Sequence, residues 1–359
     1  VIWMHLESTE PGRGSPQVRT AVLLLLLITI VGLMWAKWWP YSLKLGGLLA
    51  DRSWPGSSLL MEGGQGGSAP SLHGGWSFTV HYAEAVWKAL VVALVVAAAV
   101  DALMPRRRVI AALSRRGRFG GSVLGGLASV PCMMCTCCTA PIAGTLRRGG
   151  APTSSVLAYW FGNPTLNPAV LAFLAIVAPW QWFATRLVVG VVLVFGATVL
   201  IGRAVSTRGD ASTVTLGQDE AGEGMRAAPR RFVRSLARLA LTLVPEYAVV
   251  VFAVGALRGW LFPFDGTATH WGILTVVVAA VLGTLVVIPT AGEIPILLGL
   301  AAAGAGAGVL GALLITLPAV SLPSMVMVVR DLSWRVTAAA GGAVAAAGLV
   351  AGGVLWVLT

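Results

Sequence analysis

Stretches of about twenty apolar residues recur along this chain, and nothing else in it limits the possible folds so tightly. They lie at about 20–36, 82–104, 151–178, 182–203, 238–258, 306–329 and 336–357. A bilayer core roughly 30 Å thick takes about 20 such residues per helix. Hydrocarbon offers no partners to backbone N–H and C=O groups, so each stretch is expected to satisfy its own as a helix. The balance of residues agrees: 57% are hydrophobic and 11% charged, against about 25% charged in soluble domains. The expected fold is an all-α integral membrane protein with about seven full transmembrane helices. Lys37, Trp38 and Trp39 follow the first apolar run without a small-residue cleavage site, so that run is expected to be a retained helix and not a processed signal.

The net charge of +11 would suit nucleic acid, but the basic residues stand in short patches beside apolar stretches, with few aromatics among them. They report topology. With the N-terminus cytoplasmic, 19 of the 25 Lys and Arg fall on the cytoplasmic side, including Arg106–Arg108, Arg115, Arg116, Arg118, Arg147, Arg148 and the cluster from Arg203 to Arg238. Lys37, Lys44, Arg52, Lys88, Arg186 and Arg258 make up the rest, as the positive-inside rule expects for an inner membrane.

Residues 119–146 break this pattern, because arginines flank both ends. Both ends should then face the cytoplasm. The middle reads Ser129-Val-Pro-Cys-Met-Met-Cys-Thr-Cys-Cys-Thr-Ala-Pro141, where two prolines remove helix donors. The expectation is a re-entrant hairpin with its tip inside the membrane, where irregular backbone persists only when buried in protein or lining a cavity. The next span is interrupted too, by Asn163-Pro164 and Asn167-Pro168. The kink alone is one reading; polar side chains at that depth point to a site.

These features repeat. Pro141-Ile142 followed by Asn-Pro and Asn-Pro is echoed by Pro295-Ile296 followed by Leu317-Pro318 and Leu322-Pro323, about 154 residues later. Ser321 stands at the second break and joins the candidates. The helix from 82 matches that from 238, the hairpin from 119 a broken stretch at 272–300, and the span from 182 that from 336. Arginines mark the first hairpin's ends as inside, whereas uncharged residues follow the second. The expected organisation is an N-terminal helix and extracytoplasmic loop (1–80), a first repeat (81–203), a cytoplasmic linker (204–237) and a second, inverted repeat (238–359). Paired broken segments in inverted halves point to a secondary transporter with its substrate site near the midplane.

All four cysteines fall within seven residues: Cys132, Cys135, Cys137 and Cys138. Thiolate is the soft ligand that selects Cu(I), Zn(II) or arsenic-like electrophiles over hard cations. On a helical turn Cys132, Cys135 and Cys138 share a face, while an extended tip places Cys135 and Cys137 together. Met133 and Met134 could add thioether ligands or simply fill apolar space. The four histidines are terminal or extracytoplasmic in this reading, against a Cys/His zinc finger. Glu246, in Leu243-Val-Pro-Glu-Tyr247, and Glu293, at the second tip, are intramembrane acids and hence candidates for proton coupling. Glu293 could instead neutralise a cationic substrate or cap a half-helix.

Cys135-Thr-Cys-Cys-Thr-Ala-Pro141 resembles the C-x-C-G-x-x-P segment of the ArsP-type permeases, and Gly292-Glu-Ile-Pro295 with Pro318 and Pro323 is similar to that family's second-half motif. The likeness covers roughly residues 80–358. It implies efflux of trivalent organoarsenicals, with relatives assigned to copper or zinc export. This chain carries Cys138 where the family usually has glycine, and the additional Cys132.

No G-x-x-x-x-G-K-[ST] phosphate cradle occurs, so ATP drive within the chain is not expected, nor is a cofactor or an enzyme activity. The expected function is secondary-active efflux of a soft, thiol-seeking substrate, trivalent arsenicals first, bound by the hairpin cysteines with Asn163, Asn167, Glu293 and Ser321. Export of Cu(I) or another soft metal is the alternative, and a thiol–disulfide relay through Cys132 and Cys135 a third. The expected partners are a small metalloid or metal substrate and the lipid bilayer, without nucleic acid; a homo-oligomer is compatible.

Overall fold

The computed structural model describes residues 16–55, 69–104, 117–205, 227–261 and 272–359. The basic patch at 106–116, most of the linker from 206 to 226, and the loop carrying His270 lie outside the described residues. The described chain is helical, without a strand. Six helices are long and apolar enough to cross a membrane, or seven when a pair bent by 50° is counted as one span. The protein is a multi-pass membrane protein.

Helix α1 (Pro16–Leu33) runs through a π-helical turn (Met34–Trp38) directly into α2 (Trp39–Asp51). The helix thus continues past Lys37, and residues 37–51, within the segment 1–80 read as an N-terminal helix and loop, are helical. Leu23, Leu27 and Val31 lie on its outer side, more than half exposed, which for an apolar helix is a lipid-facing surface. Helix α3 (Leu72–Leu103) opens at Ser71, whose hydroxyl accepts from Gly74 N, and packs along both α1 and α10 (Ala228–Leu261).

Between these long helices the chain folds into short, broken pieces. The first hairpin consists of α4 (Gly117–Ser129), a 3-10 turn (Val130–Cys132) and α5 (Thr136–Arg148). A broken span follows, α6 (Thr153–Thr165) and α7 (Pro168–Val177), and then α8 (Trp180–Val191), which passes through a π turn (Val192–Ala197) into α9 (Thr198–Val205). After α10 the order recurs: a hairpin of α11 (Ile273–Leu285) and α12 (Glu293–Ala302), the bent pair α13 (Ala307–Ala319) and α14 (Leu322–Leu332), and the long α15 (Trp334–Leu358). Thirteen-residue arms such as α4 and α11 rise about 20 Å at 1.5 Å per residue, too short to cross a bilayer core.

Packing repeats with the order. Helix α4 lies against α6 as α11 lies against α13, and α5 against α6 as α12 against α13. Small residues permit the closeness: a Cβ on Gly125 would run into the Ser155 carbonyl, and one on Gly311 would come 2.5 Å from the Ala351 carbonyl, which is how helices associate where water gives no hydrophobic drive. The halves also interlock. Helix α14 of the second half rests on α5 of the first, while Val170, Phe173 and Leu174 of α7 share a core with Val286, Ile288 and Ile294 around the second hairpin.

Candidate functional site

Four half-helices begin in the interior, and each start is shaped by its break residue. Asn167 caps α7 by accepting from Ala169 N and Val170 N at 3.1 and 3.3 Å. Ser321 and Ser324 form a reciprocal capping box on α14. Helix α12 carries Glu293 in its first turn. Helix α5, like α12, has no side-chain cap; its N-cap is Cys135, so its first amides, which every helix leaves without intrahelical acceptors, belong to the turn that carries Cys137 and Cys138.

Met133 adopts φ 51°, the left-handed region, and Asn163 Oδ1 accepts from Met134 N at 2.7 Å. Those two features reverse the chain between the 3-10 turn and α5. Cys135 Sγ then lies 2.9 Å from Cys138 Sγ and 3.5 Å from Cys137 Sγ. Two tyrosines close on the same sulfurs: Tyr247 OH is 3.3 Å and Tyr82 OH 3.6 Å from Cys137 Sγ. Tyr82 also donates to Ile288 O at 3.2 Å, so it touches both hairpin tips. Trp160 Nε1 donates to Thr136 O at 3.3 Å, and the Thr136 and Ser321 hydroxyls are 3.3 Å apart.

The structure therefore brings together Cys135, Cys137 and Cys138, with Asn163 and Ser321 at their edges. Cys132 stands apart, 3.6 Å from Tyr159 OH. Cys135 meets both Cys138, as the helical spacing expected, and Cys137, as the extended one did, whereas the left-handed turn at Met133 leaves Cys132 off the face that the helical reading gave it. Met134 is fully buried and Met133 half-buried. All four cysteines are free thiols. Among the described residues no set of three His, Cys, Asp or Glu side chains is disposed to hold a metal ion; the three sulfurs contact each other instead of surrounding a centre.

Neither acid is alone. Glu293 Oε1 receives Arg186 Nη1 at 2.8 Å, both side chains almost wholly buried, and Arg186 donates further to Thr165 O and Pro164 O at 3.1 and 2.9 Å. Glu246 Oε2 lies 3.3 Å from Arg330 Nη1, whose side chain is 63% exposed, so this pair sits toward the protein's edge while the adjacent Tyr247 faces the thiols.

Sequence reasoning missed Arg186, Tyr82, Tyr247 and Lys37. Lys37 is 7% exposed and donates to Tyr41 OH and Thr290 Oγ1 at 3.1 and 3.0 Å, while Trp38 Nε1 donates to Pro131 O at 2.8 Å. One π turn thus touches both tips. The available signal was Lys37 itself, a charge inside a continuous apolar helix. Beside the second tip lies a cavity of about 270 Å³ lined by Lys44, Trp54, Phe78, Ile288, Thr290 and Pro295. A larger cavity of about 750 Å³, lined by residues such as Val276, Gly304 and Trp356 of α11, α13 and α15 and their loops, contains no cysteine.

Residues 71–356 match the family model ArsP_1, described as a predicted permease. The chain belongs to that family. This permease is also similar to the UPF0718 protein YraQ of Escherichia coli (strain K12), 37% identical over 348 residues that cover 95% of this chain and 98% of the relative. No solved structure matches it. The match leaves α1 and α2 outside the family model, so Lys37 belongs to a helix that the model does not reach, whereas the cysteines, Arg186 and Glu293 all fall within it.

Proposed function

We propose that this permease is a secondary-active exporter of a soft, thiol-seeking substrate, trivalent organoarsenicals first, embedded in the inner membrane with a cytoplasmic N-terminus and oppositely oriented halves. One observation carries the reading: Cys135, Cys137 and Cys138 converge at the uncapped start of a half-helix, buried between two chain breaks, the kind of paired interruption that forms substrate sites in secondary transporters.

Two thiols capture an arsenical by condensation. Each S–H and one As–OH become an S–As bond and water, and arsenic stays trivalent. Tyr82 and Tyr247 hold the Cys137 sulfur in place, and release reverses the condensation: when the tips part, one water per S–As bond returns a proton to sulfur and a hydroxyl to arsenic. Proton coupling runs through Glu293: protonation of that carboxylate removes the charge facing Arg186, the ion pair that ties the first half to the second. Glu246 takes the same role less directly, through its pair with Arg330.

Uptake of methylarsenite into everted membrane vesicles tests the proposal. Accumulation that depends on a pH gradient and disappears in Cys135→Ser and Cys137→Ser is the expected result. Vesicles that accumulate none, with or without the gradient, would sink it.

A further inference from the structure

Capture of a dihydroxyarsine takes two thiols, and three lie together here. Cys135 is the N-cap of α5, in extended backbone, and Cys137 and Cys138 are the second and third residues of that helix. An N-cap side chain reaches over those two positions, where an oxygen would accept from their amides. Here the reaching atom is sulfur: Cys135 Sγ lies 3.5 Å from Cys137 Sγ and 2.9 Å from Cys138 Sγ. Cys135 is therefore common to two adjacent pairs. Their other members face different ways, because successive helix residues point about 100° apart. Cys137 Sγ is turned to α3 and α10, where the Tyr82 and Tyr247 hydroxyls meet it. All three cysteines are buried, and their sulfurs touch one another instead of enclosing a centre.

We infer that Cys138 is an exchange sulfur: arsenic is captured between Cys135 and Cys137, and Cys138 then displaces Cys137 from it while Cys135 stays bonded as the pivot. The inference rests on the thiols being the substrate site and adds a step to that reading. In this step the S–As bond to Cys137 breaks with its electron pair on sulfur, the bond to Cys138 forms, and the proton of Cys138 ends on Cys137. Arsenic is trivalent, with two bonds to sulfur, before and after. No water, oxidant or reductant takes part.

The surroundings set the order of the two pairs. Displacement of one sulfur by another is faster when the departing thiolate is stabilised, as in thiol–disulfide exchange. Tyr247 donates its hydroxyl hydrogen to Cys137 Sγ at 3.3 Å, and a hydrogen bond to an anion is stronger than one to a neutral sulfur. The positive end of α5 favours negative charge at its first turn as well. Cys137 is thus the sulfur equipped to leave. The exchange turns the cargo about α5, away from α3 and α10, without setting a free species loose in the interior. Hydrolysis of both S–As bonds follows only when the tips part.

The test compares Cys138→Ser with the unmodified full chain in two measurements: methylarsenite binding to the purified protein, and methylarsenite uptake by everted vesicles. Binding should stay within about twofold, since both capture thiols remain. The maximal uptake rate should fall by about tenfold or more with half-saturation little changed, the mark of a step after binding. Cys138→Ala should behave alike, and carries the comparison if the serine variant does not reach the membrane. Undiminished uptake in both variants overturns the inference. Binding lost in both overturns it too, because Cys138 would then be a capture thiol. A loss of uptake that lies wholly in a raised half-saturation does the same. Methylarsenite binding that survives Cys135→Ser and Cys137→Ser refutes the thiol site itself, a separate failure.

Discussion

Arg186 Nη1 lies 2.8 Å from Glu293 Oε1, and the same guanidinium reaches the carbonyl oxygens of Thr165 and Pro164 through Nε and Nη2. Those carbonyls belong to the end of α6, where the first half's span breaks, and the glutamate opens α12 in the second half. The planar fork of arginine suits this task, binding a carboxylate and two carbonyls at once. It also supplies donors to backbone oxygens freed where Pro168 and the break end the helical ladder.

Removing one member of this pair should harm the protein more than removing both. Arg186→Met leaves a buried carboxylate uncompensated, a cost of about 3–5 kcal/mol. Adding Glu293→Gln removes the orphaned charge and should recover part of the lost stability. Thermal unfolding in detergent measures the coupling; a double variant as unstable as the summed single variants would show that the pair does not interact.

The cysteines should separate by function. Cys135→Ser and Cys137→Ser are expected to abolish methylarsenite transport, since serine oxygen is a hard donor. Cys132→Ser, at a sulfur bonded to Tyr159 and not to the other thiols, should retain most of it, and Met133→Leu should barely matter. Vesicle uptake normalised to protein amount reads all four, and full activity in both of the first two variants would refute the assignment.

Tyr82→Phe and Tyr247→Phe keep the rings and remove only the hydroxyls that meet Cys137. At about 0.5–1.5 kcal/mol per hydrogen bond, each should weaken methylarsenite binding roughly twofold to tenfold, with little change in unfolding temperature. Tyr82→Phe should show the larger effect because its hydroxyl also bonds Ile288 O. Competition binding distinguishes the two.

Helix approach can be tested away from the thiols. Gly125→Ala places a methyl against the Ser155 carbonyl, whereas at Gly353 nothing lies within 4 Å of an added Cβ. The first should cost about 1–3 kcal/mol through forced separation of α4 and α6, and Gly353→Ala should be neutral or slightly stabilising. Comparable unfolding temperatures for the two would contradict the packing.

The sequence made the spans, the breaks and the sulfur cluster legible because each is local: apolar length, Asn-Pro pairs, and four cysteines in one run. Partnerships across the chain were not legible. Arg186 and Glu293 are 107 positions apart, and each alone reads as an isolated intramembrane charge. Tyr82 and Tyr247 sit in apolar helices where an aromatic is ordinary filling, and only the fold turns both hydroxyls onto one sulfur. Lys37 was read as a boundary because a lysine after an apolar run usually marks the membrane surface. Here its stem stays inside because Tyr41 and Thr290 satisfy the ammonium in place of water.

The crossing of the two halves, with α14 seated on the first hairpin and α7 sharing the second hairpin's core, sets the terms on which the chain can be divided. A fragment ending in the linker has a Cys-bearing tip with no floor beneath it, and the remaining fragment has an acid with no counter-charge. Made together in one cell, the two fragments are expected to supply each other's missing surface through the same contacts.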